Sequence, residues 1–111
     1  MYDPAMSEAT RLRRAAVERA VRGPGKASSE ARRAAFDSAG VPASAAALVD
    51  KVARTAWKIT DEDIAAARAA GLSEDEIFEL VVCAAYGQAT RQLEAGLAAL
   101  AAATTGDGGR P

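Results

Sequence analysis

The chain has 111 residues, of which 50% are hydrophobic, and its formal net charge is −1 at pH 7. This length supports one domain with a single core, and the 30 alanines leave only about 25 larger apolar side chains to build that core. Alanine favours helices over sheets, so the composition predicts an all-α fold and disfavours all-β folds. The single cysteine excludes a disulfide framework, and the lack of histidine removes the usual zinc sites and the Ser-His and Cys-His nucleophile pairs.

Residues 7–103 are predicted to form one helical domain, and residues 1–6 and 104–111, which lack apolar periodicity, are predicted to be flexible tails. No stretch approaches the roughly 20 apolar residues that span a bilayer, and the acidic start is unlike a signal peptide. We therefore expect a cytoplasmic protein without a membrane partner. Residues 1–60 carry a net charge of +5 and residues 61–111 carry −6, which favours contact between the two halves, within one chain or between subunits.

Capping and breaking residues bound the first two helices. Ser7 can cap a helix that runs to about Arg22, where the sequence Gly-Pro-Gly at residues 23–25 ends it. One of the two serines at residues 28–29 can cap a short second helix over EARRAAF. Gly40 is expected to stop that helix in a left-handed conformation.

Two further helices are predicted in the middle of the chain. The third lies near residues 44–58, after Pro42, and its apolar side holds Leu48, Val49, Val52, Ala56 and Ile59. Asp50 and Arg54 are four residues apart on this helix and can pair. The fourth begins after Thr60, where three acids occupy the positive end of the helix dipole, and ends at Gly71.

The last helix is the longest, from Glu74 to about Ala103, and Ser73 with Glu76 forms a capping box at its start. When successive residues are placed 100° apart around the helix axis, the apolar side chains of this helix fall into two stripes. The first stripe holds Phe78, Val82, Ala85, Tyr86, Ala89, Leu93, Leu97 and Leu100. The second stripe holds Ile77, Leu80, Val81 and Ala84.

A helix that is apolar on two sides must be buried on two sides, so this helix is expected at the centre of the assembly. The second stripe has no partner of matching size within the chain, which predicts a subunit interface. The predicted interface residues are Ile77, Phe78, Val81, Val82, Tyr86 and Leu93. Gly87 and Gly96 each cost about 1 kcal/mol inside a helix, unless a close approach or a bend uses them.

Two groups of reactive or charged residues have a simple structural interpretation. Cys83 lies among apolar neighbours, where burial raises the pKa of a thiol and leaves it inert. The basic residues of the N-terminal half lack interleaved aromatic residues and point in several directions, so a solvated surface or an intersubunit contact is expected. These basic residues are Arg11, Arg13, Arg14, Arg19, Arg22, Lys26, Arg32 and Arg33.

A helix-turn-helix spacing occurs at Ala67, Gly71 and Ile77, which raises the hypothesis of DNA binding. In that motif the second helix enters the major groove with its N-terminal residues first. Here that helix begins with acids at residues 74–76, which phosphates would repel. We therefore expect no specific DNA binding.

Residues 49–100 resemble the C-terminal part of the alkylhydroperoxidase D-like, carboxymuconolactone decarboxylase-like superfamily. The resemblance is closest in the sequence ITDEDIAAARAAGLSEDEIFELVVCAAYGQATRQLEAGLAAL, and it covers about half of the chain. The shared features are the acid-capped short helix after Thr60, the turn at residues 70–73, and the helix rich in small residues with Arg91 and Leu93 about two turns beyond Val82.

This resemblance implies a compact all-α subunit of about five helices that assembles through its long central C-terminal helix into trimers, hexamers or related oligomers. Peroxidase members of the superfamily use a C-x-x-C pair with a nearby histidine and glutamate, but residues 28–47 of this chain contain neither cysteine nor histidine. No catalytic, cofactor-binding or metal-binding residue is therefore carried over, and the chain alone is not expected to act as a peroxidase.

The predicted function is that of a non-catalytic subunit or binding module, with further copies of itself or a relative containing C-x-x-C as partners. The alternative is an enzyme of the same fold, related to the carboxymuconolactone decarboxylases or the peroxidases. Such an enzyme would bind a small acidic or aromatic substrate in a pocket formed by Tyr86, Gln88 and Arg91.

Overall fold

The computed structural model describes the backbone of residues 7–108 and the side chains of residues 7–104. This part of the chain contains five α-helices, one 3₁₀ turn and no strand, which confirms the predicted all-α class. The elements are α1 (Glu8–Arg22), α2 (Ser29–Asp37), α3 (Ala43–Thr55), the 3₁₀ turn (Ala56–Lys58), α4 (Asp61–Ala69) and α5 (Glu74–Gly108). Of the two predicted flexible tails, residues 1–6 and residues 109–111 lie outside the described residues, whereas residues 104–108 continue α5.

Side-chain caps start four of the five helices, because the first N–H groups of a helix have no partner within it. Ser7 accepts a hydrogen bond from the Thr10 amide, and Ser28 accepts one from the Ala31 amide. α4 and α5 begin with complete capping boxes. Their pairs are Thr60 with Asp63 and Ser73 with Glu76. The predicted starts of these helices are therefore confirmed.

The end of α2 differs from the prediction. Ser38, not Gly40, takes the left-handed conformation at the helix end, with φ 54°. The amides of Ser38 and Ala39 donate to the carbonyls of Ala35 and Ala34, which is the Schellman pattern. Gly40 also has a positive φ, 71°, but it turns the connection toward α3.

Two other boundaries also differ from the sequence-based positions. α3 starts at Ala43 with Pro42 at its cap position and no side-chain cap, and its last turn tightens into the 3₁₀ turn. α5 continues to Gly108, past the expected end at about Ala103, since Thr104 and Thr105 lower helix propensity without stopping a helix. Gly71 closes α4 with φ 105°, as predicted.

α5 is the central helix, and each of the other four α-helices packs against it. The core consists of small and medium side chains: Val21, Ala27, Ala35, Ala45, Leu48, Val49, Val52, Ala67, Ile77, Leu80, Cys83 and Ala84. α2 crosses α5 at Gly87, where the missing side chain lets the Phe36 carbonyl approach the α5 backbone. Close helix packing of this kind suits a chain with few large apolar residues.

The helices form a body from which the C-terminal part of α5 extends. α5 has 35 residues, about 52 Å at 1.5 Å per residue. The radius of gyration is 17.1 Å and the longest dimension is 61 Å. A globular chain of this length would have a radius of gyration of about 13 Å. None of the helices in the described part of the chain has the length and apolar character that crossing a membrane requires.

Candidate interaction surface

One side of α5 is apolar and lacks cover from the rest of the described chain. We call it the α5 stripe, and it comprises Phe78, Val82, Ala85, Tyr86, Ala89, Leu93, Gly96, Leu97 and Leu100. Four of these side chains are large and exposed: Phe78 (69%), Leu93 (40%), Leu97 (54%) and Leu100 (63%). Val82, Ala85, Tyr86 and Ala89 line a shallow depression at its centre. The stripe contains no charged residue, so it has the character of a protein-binding surface.

The packing of the opposite side of α5 explains why the α5 stripe faces outward. Ile77, Leu80 and Ala84, which belong to the second predicted stripe, are all buried in the core. The expectation that this second stripe lacks a partner within the chain was wrong. Small residues on α2 and α3, such as Ala35 and Ala45, bring those helices close enough to cover it. The first stripe is left without cover.

The predicted interface residues therefore fall on two sides of α5. Ile77 lies in the core and Val81 packs against it, so both contact their own chain. Phe78 and Leu93 are exposed, and Val82 and Tyr86 are half-buried on the α5 stripe. The interface itself stays a prediction. The six predicted residues omitted Leu97, Leu100 and Gly96, although the same periodicity along the helix extends to them.

The predicted pocket of Tyr86, Gln88 and Arg91 is not assembled within the subunit. Tyr86 lies on the α5 stripe, whereas Arg91 faces α2 and donates a hydrogen bond of 2.7 Å to the Phe36 carbonyl. A second, longer bond of 3.4 Å joins Arg91 to Gln88. Arg91 thus holds the α2–α5 crossing together at the position where Gly87 permits it.

The C-terminal part of α5 is exposed on every side. All residues from Gln92 to Thr104 are exposed, and no charged residue occurs from Ala95 to Gly106. A helix with exposed leucines and alanines and no charges gains little from contact with water. This segment continues the α5 stripe beyond the helical body and enlarges the uncovered apolar surface.

Cys83 is fully buried on the inner side of α5, and its Sγ atom lies 3.3 Å from the Ala20 carbonyl oxygen. Burial raises the pKa of the Cys83 thiol, which keeps it protonated near neutral pH. The chain contains no second cysteine to resolve a sulfenic acid. This geometry supports a structural role for Cys83.

A polar cluster beside Cys83 fastens the loop between α1 and α2 to α5. The Glu79 carboxylate accepts hydrogen bonds of 2.9 Å from the Lys26 amide and 2.8 Å from the Ala27 amide. Arg32, only 5% exposed, donates to the carbonyls of Ala20 (3.2 Å) and Gly23 (2.6 Å). This cluster could not be predicted from the sequence, because Glu79 resembles the other acids near the start of the last helix.

The Glu79 contacts make part of the stability pH-dependent. Burial raises the pKa of Glu79, but the two amide bonds and the nearby Arg32 and Lys26 outweigh it and hold the pKa below its ordinary value of 4.5. A depressed carboxylate pKa stabilises the fold above 4.5, and this contribution disappears as the pH falls through the folded-state value.

We therefore expect Glu79→Gln to lower the free energy of unfolding by about 1–2 kcal/mol near neutral pH. The difference in the free energy of unfolding between this variant and the native chain should disappear in acid. Denaturant titrations at a series of pH values measure this difference. Glu30→Gln, at an exposed position of α2, serves as the control. A gap that stays constant into the acid range would contradict the assigned role of the Glu79 charge.

Three of the basic residues of the N-terminal half make contacts within the subunit. Arg32 is buried, whereas Arg22 pairs with Glu18 at 3.4 Å and Arg33 pairs with Asp37 at 3.2 Å. Among the N-terminal acids of α5, Glu76 takes part in the capping box and Glu74 pairs with Arg68. The absence of specific DNA binding stays a prediction, and this distribution of charge supports it.

In residues 7–108 no group of three or more histidine, cysteine, aspartate or glutamate side chains is placed to hold a metal ion. Comparison of the chain with models of protein families, with curated proteins and with solved structures gave no match. The functional assignment therefore depends on the chemistry of the surfaces described above, of which the α5 stripe is the most distinctive.

Proposed function

We propose that this chain is a non-catalytic, all-helical subunit that forms a homo-oligomer through the α5 stripe. The observation that carries the proposal is the exposure of Phe78, Leu93, Leu97 and Leu100 along one uncharged side of α5. Removing apolar surface from water contributes roughly 25 cal/mol per Å². An uncharged surface also meets its own copy without repulsion between like charges.

The arrangement of the reactive side chains supports a non-catalytic role. Cys83 is buried and protonated, and Arg91 is occupied by a backbone carbonyl of α2. Tyr86 lies on another side of α5 from Arg91, so the subunit does not combine them into a substrate pocket. What remains exposed on α5 is surface suited to packing against protein.

The resemblance of residues 49–100 to the alkylhydroperoxidase D-like superfamily is part of this proposal. The all-helical architecture and the central position of α5 support it. We propose that the common property is assembly through the C-terminal helix, without the redox chemistry. A relative that contains C-x-x-C is the second candidate partner for the same stripe.

The native chain should therefore have a solution mass that is a multiple of 11.4 kDa at high concentration. Leu93→Glu and Leu100→Glu should shift the mass toward that of one chain, because a charge on the stripe would be buried without a partner. Both residues are exposed in the subunit, so neither variant should unfold. Sedimentation measures the mass, and circular dichroism confirms that the variants stay folded.

Leu12→Glu is the matched control for this experiment. Leu12 on α1 has the same exposure as Leu100, 63%, but lies outside the α5 stripe. This variant should keep the native mass. A native chain that sediments as 11.4 kDa at every concentration would contradict self-association, and equal dissociation by Leu12→Glu would contradict the assignment to α5.

A further inference from the structure

We infer that two copies of this chain pair through their α5 helices in antiparallel orientation, about a two-fold axis that passes beside Ala89. This inference rests on the proposed function and specifies its geometry. With the axis at Ala89, a residue of one copy lies opposite the residue of the other copy for which the two residue numbers add up to 178. Three independent observations lead to it: an unexplained glycine, the order of large and small residues, and the distribution of charge along α5.

Gly87 and Gly96 of α5 have different surroundings. A Cβ atom at Gly87 would lie 2.7 Å from the Phe36 carbonyl carbon, so the subunit itself requires glycine there. A Cβ atom at Gly96 would have no neighbour within 4 Å among the described residues. Glycine inside a helix costs about 1 kcal/mol relative to alanine. Gly96 lies on the uncovered stripe, toward its C-terminal end, where the close approach of a second helix would account for it.

Large and small side chains alternate along the α5 stripe in an order that lets two antiparallel copies fit together. In the antiparallel pairing Gly96 receives Val82 of the second copy, and Ala85 receives Leu93. Ala89 meets Ala89 at the axis, and Phe78 meets Leu100 at the two ends. Large side chains thus face small ones at Gly96 and Ala85, while Tyr86 lies opposite Gln92 of the second copy. The small residues near the axis permit close packing of the two helices.

The charges of α5 favour the antiparallel orientation over the parallel one. Glu74, Asp75 and Glu76 form its first turn, whereas residues 95–106 carry no charge. A parallel pair would place two sets of three carboxylates side by side, which is unfavourable. In the antiparallel pair each acidic turn lies beside the uncharged end of the other helix.

The size of the contact indicates a pair that dissociates on dilution. From Phe78 to Leu100 the stripe is about 33 Å long, and a helix about 10–12 Å wide presents roughly 350 Å² along it. That area is within the roughly 300–600 Å² of the largest apolar patch on a typical monomeric protein, a patch that is often functional. It is less than the roughly 800 Å² per partner of a standard stable interface.

Disulfide trapping of single-cysteine variants tests the geometry. The variants keep Cys83, which is fully buried, and the native chain provides the background. Ala89→Cys should form a disulfide-linked dimer well above that background, because the two introduced thiols meet at the axis. Leu100→Cys alone should not, because in the antiparallel pair the two thiols are about 33 Å apart. A mixture of Phe78→Cys and Leu100→Cys should form the mixed dimer.

The same experiment separates a failure of the geometry from a failure of the proposed function. If Leu100→Cys links to itself as fast as Ala89→Cys, the helices are parallel and the inference is wrong. If all variants stay at background while sedimentation shows an oligomer, the contact uses another surface. An assembly with an odd number of chains also contradicts a two-fold pair. A single-chain mass at all concentrations contradicts the proposed function itself.

Discussion

Replacing Gly87 with alanine should destabilise the protein by about 2 kcal/mol and lower its melting temperature by roughly 8–16 °C. The added Cβ would overlap the carbonyl group of Phe36, which belongs to the backbone of α2 and cannot move aside as a side chain does. Alanine gains about 1 kcal/mol of helix propensity over glycine, but overpacking against a fixed backbone costs more. The α2–α5 crossing must therefore open.

Gly96→Ala is the matched control, since it makes the same chemical change in the same helix. No atom of the described part of the subunit lies within 4 Å of the added Cβ, so this variant should gain about 1 kcal/mol of stability. Thermal and denaturant unfolding of dilute samples measures the change in stability of both variants. If Gly87→Ala were as stable as Gly96→Ala, the close contact between α2 and α5 would not exist in solution.

Arg32→Ala should lower the free energy of unfolding by about 2–4 kcal/mol. The side chain is 5% exposed, and its Nη1 atom donates to the carbonyls of Ala20 and Gly23 at the end of α1. Alanine would leave these carbonyls without a donor and a space where the aliphatic stem had packed. The buried Nε atom of Arg32 has no hydrogen-bond partner among the described residues, so removing this donor offsets a small part of the loss of stability.

The adjacent Arg33 is the matched control for Arg32. Arg33 is exposed, pairs with Asp37 at 3.2 Å and lies 5.4 Å from the centre of the Phe36 ring. Exposed ion pairs and cation–π contacts each contribute about 1 kcal/mol or less, so Arg33→Ala should change stability little. Equal effects of the two substitutions in urea titrations would contradict the structural role of Arg32.

The helices could be predicted from the sequence because their ends carry local signals. Ser7, Thr60 and Ser73 each cap the helix that follows, and each bond spans only three residues. The stop of α2 could not be located as well, because Ser38 adopts a left-handed conformation that a glycine two residues later was expected to take. Local sequence signals do not show which of several neighbouring residues ends a helix when tertiary packing determines where the chain turns.

The orientation of α5 could not be predicted, because it depends on distant residues. The periodicity gave both stripes correctly, but which one the subunit buries is decided by small residues on α2 and α3. The Glu79 contacts join residues 52 and 53 positions apart, and no local pattern signals them. The Gly87 contact and the exposed stripe follow from the same packing.

The order of the helices along the chain sets the order in which they are synthesised, and α5 follows the four α-helices that pack against it. Domains generally fold as units during synthesis. Here α1 to α4 alone lack the surface of α5 that completes their burial. These four helices are therefore expected to stay incompletely packed until α5 has left the ribosome, and the emergence of α5 becomes the step that allows the core to close.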